Sequence, residues 1–359
     1  MRAQRIARVG LLALLLSLAT ALPALAADPS VLCHIRDQRI DEASGIARGI
    51  ASPGVFYVQN DSGDSARFFA VDAGTGRSRA VYAVPHATNH DWEDLAVARD
   101  AAGTPSVWLA DIGDNNGVRH EVQLYRVDEP QVDMSRSDVT AQTHAPDLWR
   151  LRYPSGPVNA EALAVAPGGR AYVITKAADG RSAVYRVPPR PDARHVQLLQ
   201  RVGSIRFVSR GGLVPASLQV LATGAALSPD GALLTVRTYT DAYVWQVRHG
   251  DVAAAIRHRP AHIAIPLQPQ GEGVGFDAGA LVLDSEGAST PVYRVPLPSA
   301  LRPRPSSTPS SAPPGRSTSQ PTATASSADS ADLTPYLVLV VLVVVIGLGF
   351  AVWWRRRRE

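Results

Sequence analysis

The chain has 359 residues, with 36 Lys and Arg, 32 Asp and Glu, and a formal net charge of +4 at pH 7. This basic excess lies at the chain ends: the net charge falls to +1 without Arg2, Arg5 and Arg8, and to −2 when residues 355–359 are also left out. The body of the chain is therefore not basic, which excludes a nucleic-acid-binding protein. Cys33 is the only cysteine, so an intramolecular disulfide is excluded, and we expect this thiol to be buried in a strand.

The first predicted element is a secretory signal at residues 1–26. Three arginines precede the apolar stretch 9–19, and Ala24 and Ala26 provide the small residues of a cleavage site. An uncleaved signal anchor is the alternative, but the apolar stretch is short for a spanning helix. We predict export of the protein, with cleavage after Ala26.

Residues 27–300 predict a single all-β domain. Short apolar runs are separated by Gly, Pro and Asp turns, and no helical period is sustained. One unit recurs five times: a polar residue, a small or acidic residue, and then an apolar strand. The polar residues, here called the head residues, are Ser44, Glu93, Glu161, Thr223 and Glu272.

Each unit continues into further strands. Second strands are predicted at 55–60, 107–111, 171–175, 233–237 and 281–284, and third strands at 67–71, 123–127, 183–187, 242–247 and 291–295. Fourth strands are predicted at 79–84, 148–153, 196–202 and 261–266. The fifth unit has no fourth strand of its own, and residues 31–35 at the start of the mature chain would supply it.

Repeated four-stranded antiparallel units are typical of a β-propeller. We therefore predict an all-β, five-bladed β-propeller closed by the N-terminal strand. A six-bladed propeller is the alternative, because the second and third units carry long insertions. A β-sandwich would explain the strands but not their regular recurrence.

The C-terminal region predicts a membrane anchor. Residues 301–333 are mostly Pro, Ser, Thr and Ala, which is typical of a disordered stalk. For residues 334–354 we predict a transmembrane helix, long enough to cross a ~30 Å hydrocarbon layer. The basic tail 355–359 belongs on the cytoplasmic side. We predict a single-pass type I protein of the cell membrane, anchored in the lipid bilayer with residues 27–300 outside.

The five head residues predict a metal site. In an antiparallel blade the first strand starts at the face where the second strand connects to the third, so all five heads would surround one mouth of the central channel. Three carboxylates at ~5 Å in an effective dielectric of ~20 repel by about 3 kcal/mol per pair. A cation with oxygen ligands would offset this repulsion, and calcium accepts such flexible ligand sets more readily than magnesium. Protonated glutamates, a buried arginine partner or channel water are the alternatives.

The order of the head residues resembles that of the calcium-activated nucleotidases, or apyrases. These are five-bladed propellers with a central calcium bound by a Ser, Glu, Glu, Ser, Glu series, one residue from each blade. The resemblance covers most of residues 40–296 and implies that Ser44, Glu93, Glu161, Thr223 and Glu272 hold calcium in this chain.

The loops differ from that family. An Asp-Asp-Arg-Thr-Gly type loop is replaced by residues 60–64, which keep its acidic character at Asp61, and a Gly-Lys-Glu type loop is replaced by residues 111–115. Residues 60–63, 92–95 and 111–114 also look like those of secreted bacterial propellers described as phytase-like or esterase-like.

The loops at the same mouth carry the candidate reactive residues. We predict as catalytic residues Asp61, Asp111, Asp114 and Lys176, and as substrate-binding residues Asp64, Asn115, Arg237 and Tyr239. His90 is a candidate acid or base, with a packed rim histidine as the alternative. Asx turns and solvated charges would explain the same residues without a function.

The sequence leaves two functions open. The first is hydrolysis of a phosphorylated or ester small molecule at a calcium-bearing mouth. The second is a non-catalytic propeller that binds a small-molecule, surface or protein ligand, because one fold hosts many functions.

Overall fold

The computed structural model describes residues 28–302, which contain twenty-two strands, one short helix and one 3₁₀ turn. In chain order the strands are β1 (Ser30–His34), β2 (Ala43–Arg48), β3 (Val55–Asn60), β4 (Arg67–Asp72), β5 (Ser78–Ala83), β6 (Trp92–Arg99), β7 (Pro105–Asp111), β8 (Val122–Asp128), β9 (Val139–Gln142), β10 (Asp147–Arg152), β11 (Ala160–Ala166), β12 (Arg170–Thr175), β13 (Arg181–Arg186), β14 (Asp192–Leu198), β15 (Gln200–Arg206), β16 (Ala222–Leu227), β17 (Leu233–Thr238), β18 (Asp241–Gln246), β19 (Ala261–Ala264), β20 (Val274–Asp277), β21 (Ala280–Leu283) and β22 (Pro291–Pro296). Helix α1 (Val252–Ala255) precedes β19, and the 3₁₀ turn (Ser299–Leu301) follows β22.

The strands form five sheets, which are the five predicted blades. Blade 1 has the order β2-β3-β4-β5-β9, blade 2 β6-β7-β8-β10-β14, blade 3 β11-β12-β13-β15, blade 4 β16-β17-β18-β19 and blade 5 β20-β21-β22-β1. The first strands of the blades lie side by side in the order β2, β6, β11, β16 and β20, and β20 lies against β2 again. This confirms the all-β five-bladed propeller and excludes the six-bladed alternative.

The N-terminal strand closes the ring. Strand β1 pairs antiparallel with β22, with Ser30 opposite Arg294 and His34 opposite Pro291. The sequence therefore identified the outer strand of blade 5 correctly. Cys33 lies in this strand and is buried, as expected.

The long insertions of the second and third units extend the preceding blades. Strand β9 comes from the second unit and pairs parallel with β5 of blade 1, and β14 comes from the third unit and pairs parallel with β10 of blade 2. The insertions therefore add an outer strand to a neighbouring blade and do not form a sixth blade.

The fourth strand predicted for the third unit at 196–202 is wrong. The chain turns at Leu199, so that β14 belongs to blade 2 and β15 to blade 3. Leu199 is buried among apolar residues of both blades, and its N–H donates to Arg152 O at 3.0 Å. The buried leucine fixes the crossover point, which an apolar pattern alone reads as one continuous strand.

Stacking buries both faces of every blade. Strands β3 and β11 are buried along their whole length, and five apolar clusters fill the spaces between blades. Trp108 and Trp149 of blade 2, for example, pack with Val173 and Tyr185 of blade 3. Within residues 28–302 no helix has the length and apolarity to cross a membrane. The predicted signal, the transmembrane helix, the tail and nearly all of the stalk lie outside the described residues.

Candidate functional site

Four of the five head residues lie at β-bulges of the innermost strands. In β2, Ala43 pairs with Asn60 and Gly45 with Gln59, which leaves Ser44 between two paired residues. The same register shift occurs around Glu93 in β6, Glu161 in β11 and Thr223 in β16. Bulges redirect individual side chains and are frequent beside active sites. The fifth head residue, Glu272, lies just before β20.

The head residues are buried and linked from blade to blade. Their exposed fractions are 2% for Ser44, 3% for each glutamate and 0% for Thr223. The Ser44 hydroxyl donates to Glu93 O at 2.6 Å, and the Thr223 hydroxyl donates to Glu272 O at 3.0 Å. The two hydroxyls therefore bridge neighbouring blades at the level of the glutamates.

Lys176 provides a buried positive charge beside the heads. Its Nζ forms an ion pair with Glu161 Oε2 and donates to the Tyr239 hydroxyl at 2.8 Å. Burial alone would lower the pKa of Lys176, but the charges of Glu161, Tyr239 and the other head glutamates raise it well above its usual value. The buried cationic partner that the sequence analysis considered as an arginine is thus a lysine, and it offsets part of the repulsion.

The remaining carboxylate oxygens are less well satisfied. Glu93 Oε1 and Glu272 Oε2 are buried and have no hydrogen-bond partner among residues 28–302. Burial raises the pKa of Glu93 well above its usual value, and Glu161, Asp61 and Asp91 raise it further. Burial also raises the pKa of Glu272, with Glu161 and Glu286 adding to the effect.

Further acidic residues extend the cluster outward from the heads. Burial and the charge of Asp91 raise the pKa of Asp61 to about 8, and burial and Glu42 raise the pKa of Glu286 to about 7. We call the following six residues the acidic cluster: Asp61, Asp91, Glu93, Glu161, Glu272 and Glu286. Within residues 28–302, Lys176 forms the only ion pair with a head residue, so negative charge is in excess.

Asp91 was missed by the sequence analysis. Single oxygens of Asp61, Asp91 and Glu93 lie within 4.8 Å of one another. Asp91 precedes its head residue by two positions, and Glu42, Asn159 and Gln270 stand at the same place before their own heads. A polar residue at this position in four of the five units is a signal that would have found it.

Asp94 is a second missed residue, and it is fully buried next to the head residue Glu93 in the chain. Its Oδ2 accepts from the N–H of Leu163 at 2.8 Å and of Ala225 at 3.1 Å, so it joins the inner strands of blades 2, 3 and 4. The equivalent positions of the other units hold Gly45, Ala162, Gly224 and Gly273. Gly45 leaves part of the space that this aspartate fills, because a Cβ added to Gly45 would lie 2.9 Å from Asp94 Oδ1.

Two of the predicted catalytic residues, Asp111 and Asp114, both contact Arg119. Asp111 is fully buried, pairs with Arg119 at 2.8 Å and accepts from Asp91 N at 3.1 Å. Asp114 accepts from Val118 N and Arg119 N at 2.8 and 2.9 Å. These bonds hold the loop that lies beside Asp91.

The predicted substrate-binding residues are spread over different surroundings. Asp64 bonds Arg67 Nε at 2.9 Å and Asn60 Nδ2 at 3.0 Å. Arg237 is fully buried, donates to the backbone oxygens of Gly273 and Asp284, and has its pKa lowered to about 10 by burial. Tyr239 accepts a hydrogen bond from Lys176 and so lies beside the acidic cluster.

Asn115 and His90 lie at the exposed rim of the mouth. Asn115 accepts from Asn159 Nδ2 at 3.1 Å, and this amide also donates to the head residue Glu161 at 3.2 Å. His90 is exposed, and its backbone N–H faces Asp111 at 3.4 Å. The structure therefore brings together the head glutamates, Asp61, Lys176 and Tyr239, with Asn115 and His90 at the edge.

Comparisons with known proteins identify no family for this chain. No family model matches the sequence, and no curated protein matches it. Among solved structures, the PQQ-bound aldose sugar dehydrogenase of Streptomyces coelicolor is 13% identical, with a TM-score of 0.42 over 77% of this chain and 99% of that one. The virginiamycin B lyase of Staphylococcus aureus is 10% identical, with a TM-score of 0.34 over 71% of this chain and 66% of that one. The Cps50 (Swd1) β-propeller domain of Myceliophteria thermophila is 9% identical, with a TM-score of 0.35 over 76% of this chain and 99% of that one.

Proposed function

We propose that the protein is a calcium-binding propeller that hydrolyses a phosphorylated or ester small molecule at the mouth formed by the head residues. The observation that carries the proposal is a pair of buried carboxylate oxygens, Glu93 Oε1 and Glu272 Oε2, that have no hydrogen-bond partner. Unpaired buried acceptors are costly, and a hard cation with oxygen ligands satisfies them.

The donor set fits calcium. In this proposal, glutamate and hydroxyl oxygens from the five blades share one calcium ion, which accepts 6–8 oxygen ligands in flexible geometry. The five proposed ligands are those named by the resemblance to the apyrases: Ser44, Glu93, Glu161, Thr223 and Glu272. Lys176 does not make calcium unnecessary, since one ammonium offsets only part of the negative charge of the acidic cluster.

The chain's own residues would share the work at the mouth. When bound, calcium polarises a phosphoryl or carbonyl group of the substrate. Asp61 is partly exposed and orients the attacking water, and Lys176 with Tyr239 contacts the negative charge of the substrate. Asp111, Asp114 and Arg237 hold the surrounding loops through the bonds described above.

We also propose the location of this activity. The composition of residues 1–26 and 334–359 supports export and a single C-terminal anchor in the cell membrane, which would present the propeller outside the cell.

Turnover by the purified protein tests the hydrolase proposal. A panel of nucleoside diphosphates, phytate and simple esters should be assayed with calcium and with chelator, and we expect calcium-dependent release of product from at least one. Asp61→Asn should lower this rate about 100-fold or more, as expected for loss of a group that positions water. Asp133→Asn, at an exposed aspartate that accepts hydrogen bonds from Ser135, is the control and should retain activity.

The non-catalytic alternative has a distinct outcome. If calcium binds but no member of the panel is turned over, the mouth is a ligand-binding surface. If neither calcium binding nor turnover is seen, both forms of the proposal fail.

A further inference from the structure

Three carboxylates beside Gly113 form a group that the ring of head residues does not explain. Oxygens of Asp61, Asp91 and Glu93 lie within 4.8 Å of one another. Of the three, only Glu93 is a head residue, and its buried Oε1 has no hydrogen-bond partner. Like charges at this separation repel by several kcal/mol unless a cation lies between them.

Gly113 shows where Glu93 Oε1 points. A Cβ added to Gly113 would lie 2.2 Å from Glu93 Oε1 and 2.4 Å from Asp91 Oδ2. Both oxygens therefore converge on the same face of this glycine. Gly113 does not adopt a positive φ, so its backbone conformation gives no reason for a glycine. The reason for a glycine is the space in front of it, because any side chain at this position would collide with both carboxylates.

Neighbouring cations are engaged elsewhere. Arg119 directs its guanidinium to the Asp111 carboxylate at 2.8 Å, to Gly113 O at 2.7 Å and to Gln123 Oε1 at 3.1 Å. Lys176 pairs with Glu161 on the other side of Glu93. The loop is also fixed in place, since Gly113 N donates to Asp91 O at 3.1 Å. Within residues 28–302 none of the three carboxylates has an ion pair of its own, and the charges of Arg119 and Lys176 offset their burial and mutual repulsion only in part.

We propose that Asp61, Asp91 and Glu93 bind one calcium ion beside Gly113, at a site separate from the axial ring of head residues. Three carboxylates give a hard, oxygen-only donor set that suits calcium, and water can complete the coordination because Asp61 and Asp91 are partly exposed. Glu93 is shared with the ring, so the two ions would be neighbours. Asp61 would then act on the proposed reaction through the ion it holds, a step that rests on the proposed function, whereas ion binding itself does not.

Calcium titration of the full-length protein by calorimetry tests this site. Asp61→Asn removes a ligand charge without changing shape, and Gly113→Ala places a methyl group against two of the ligands. Both should weaken one calcium-binding step about 10- to 100-fold, in the range seen when the groups around a metal are altered. Gly74→Ala is the matched control, because its Cβ would make only an ordinary contact of 3.6 Å with Asp72, and it should bind calcium as the wild type does.

Thermal unfolding separates a ligand from a structural residue. In chelator, Asp61→Asn should be at least as stable as the wild type, because a carboxyl group crowded against two others is replaced by a neutral amide of the same shape. In calcium it should be less stable, because binding to the folded state stabilises it by mass action. A purely structural aspartate would lower stability in both conditions. Asp91→Asn gives the same comparison if Gly113→Ala does not fold.

A ring variant makes failure of this site distinguishable from failure of the proposed function. Glu272→Gln should weaken only the axial step and leave the second step intact. If Asp61→Asn and Gly113→Ala bind calcium with wild-type affinity and stoichiometry, the site beside Gly113 is refuted, whatever Glu272→Gln does. If only Glu272→Gln retains full binding, the axial ring is refuted and this site stands.

Discussion

Lys176 is the only lysine of the chain, and its environment shows how one residue balances the acidic cluster. Its side chain is 15% exposed and that of Glu161 4% exposed, so their ion pair is largely removed from water. A buried pair contributes little net stability over an apolar pair, but losing one partner leaves an uncompensated charge. Lys176 therefore supplies the counter-charge for the buried carboxylate of Glu161.

Lys176→Met should destabilise the metal-free protein and strengthen its affinity for calcium. We expect the free energy of unfolding in chelator to fall by about 3–5 kcal/mol, the usual cost of breaking a buried ion pair. The excess negative charge should at the same time tighten calcium binding. Denaturant unfolding in chelator and calcium titration measure the two effects.

Arg150→Met is the control for this substitution, since it breaks an exposed ion pair with Glu121 and should change stability little. Unchanged unfolding of Lys176→Met in chelator would mean that the ammonium does not offset the head carboxylates.

At the scale of elements, the insertion of the second unit is clamped to blade 1 by a single carboxylate. Glu129 is 7% exposed and accepts hydrogen bonds from the backbone N–H groups of Ile50, Ala51 and Ser52 at 3.1, 2.9 and 3.1 Å. The next residue, Pro130, accepts from the Tyr57 hydroxyl at 3.0 Å. These bonds precede β9 in the chain and position it to join blade 1.

Glu129→Gln should loosen this clamp. An amide NH₂ would face N–H donors, and a buried donor left without an acceptor costs about 1–3 kcal/mol. Relative to the wild type, we expect a lower unfolding midpoint. We also expect faster hydrogen exchange in β9, with little change in β3. Glu121→Gln, at a surface ion pair, provides the comparison and should leave β9 exchange unchanged. Equal β9 protection in Glu129→Gln and the wild type would contradict the clamp.

A strand could be predicted from the sequence when the residues that determine it are local, that is, its own residues and the turns beside it. Strand β3 was predicted with its observed ends because every residue of Val55–Asn60 is buried and the flanking turns carry Gly, Pro and Asp. Strands β9 and β14 were not recognised as additions to neighbouring blades, because their mostly exposed residues carry little apolar signal. Parallel pairing with a different unit depends on contacts distant in sequence.

The candidate site likewise contains residues that the sequence pattern identifies and residues that only three-dimensional contacts reveal. The head residues were found because they recur, and the repeat fixes their blade positions. The partnership of Lys176 with Glu161 depends on three-dimensional approach, and the bulges that turn the heads inward leave no mark on the apolar pattern. Asp91 was overlooked because its position is polar in only four of the five units. Asp94 was overlooked because the other units have a small residue at its position.

For the whole molecule, the acidic cluster makes metal-free stability depend on pH in an unusual direction. The folded-state pKa values of Asp61 and Glu286 are raised to about 8 and about 7 by burial and neighbouring carboxylates. An unfolded chain releases these protons near pH 4. Between about pH 4 and pH 8 the folded state therefore binds more protons than the unfolded state, and its stability falls as the pH rises.

Asp37 has the opposite effect on the pH dependence of stability, and it acts at lower pH. Burial alone would raise the pKa of Asp37, but hydrogen bonds from Arg39 lower it to about 2. Its stabilising contribution is present above the unfolded pKa near 4 and is lost as the pH falls toward 2. The two effects together place the greatest stability of the metal-free protein near pH 4–5.

Bound calcium should remove the loss of stability that the metal-free protein shows as the pH rises from 5 to 8. A bound cation replaces the protons that the cluster otherwise retains, so ionised carboxylates no longer destabilise the folded state. We expect the melting temperature in chelator to fall steadily from pH 5 to pH 8, and the melting temperature in excess calcium to change much less. Magnesium, which demands near-ideal octahedral geometry, should restore less stability than calcium at equal concentration. A chelated protein whose melting temperature is constant or rises from pH 5 to pH 8 would show that the cluster keeps its charge without cost, and that no cation is needed to hold the five blades around it.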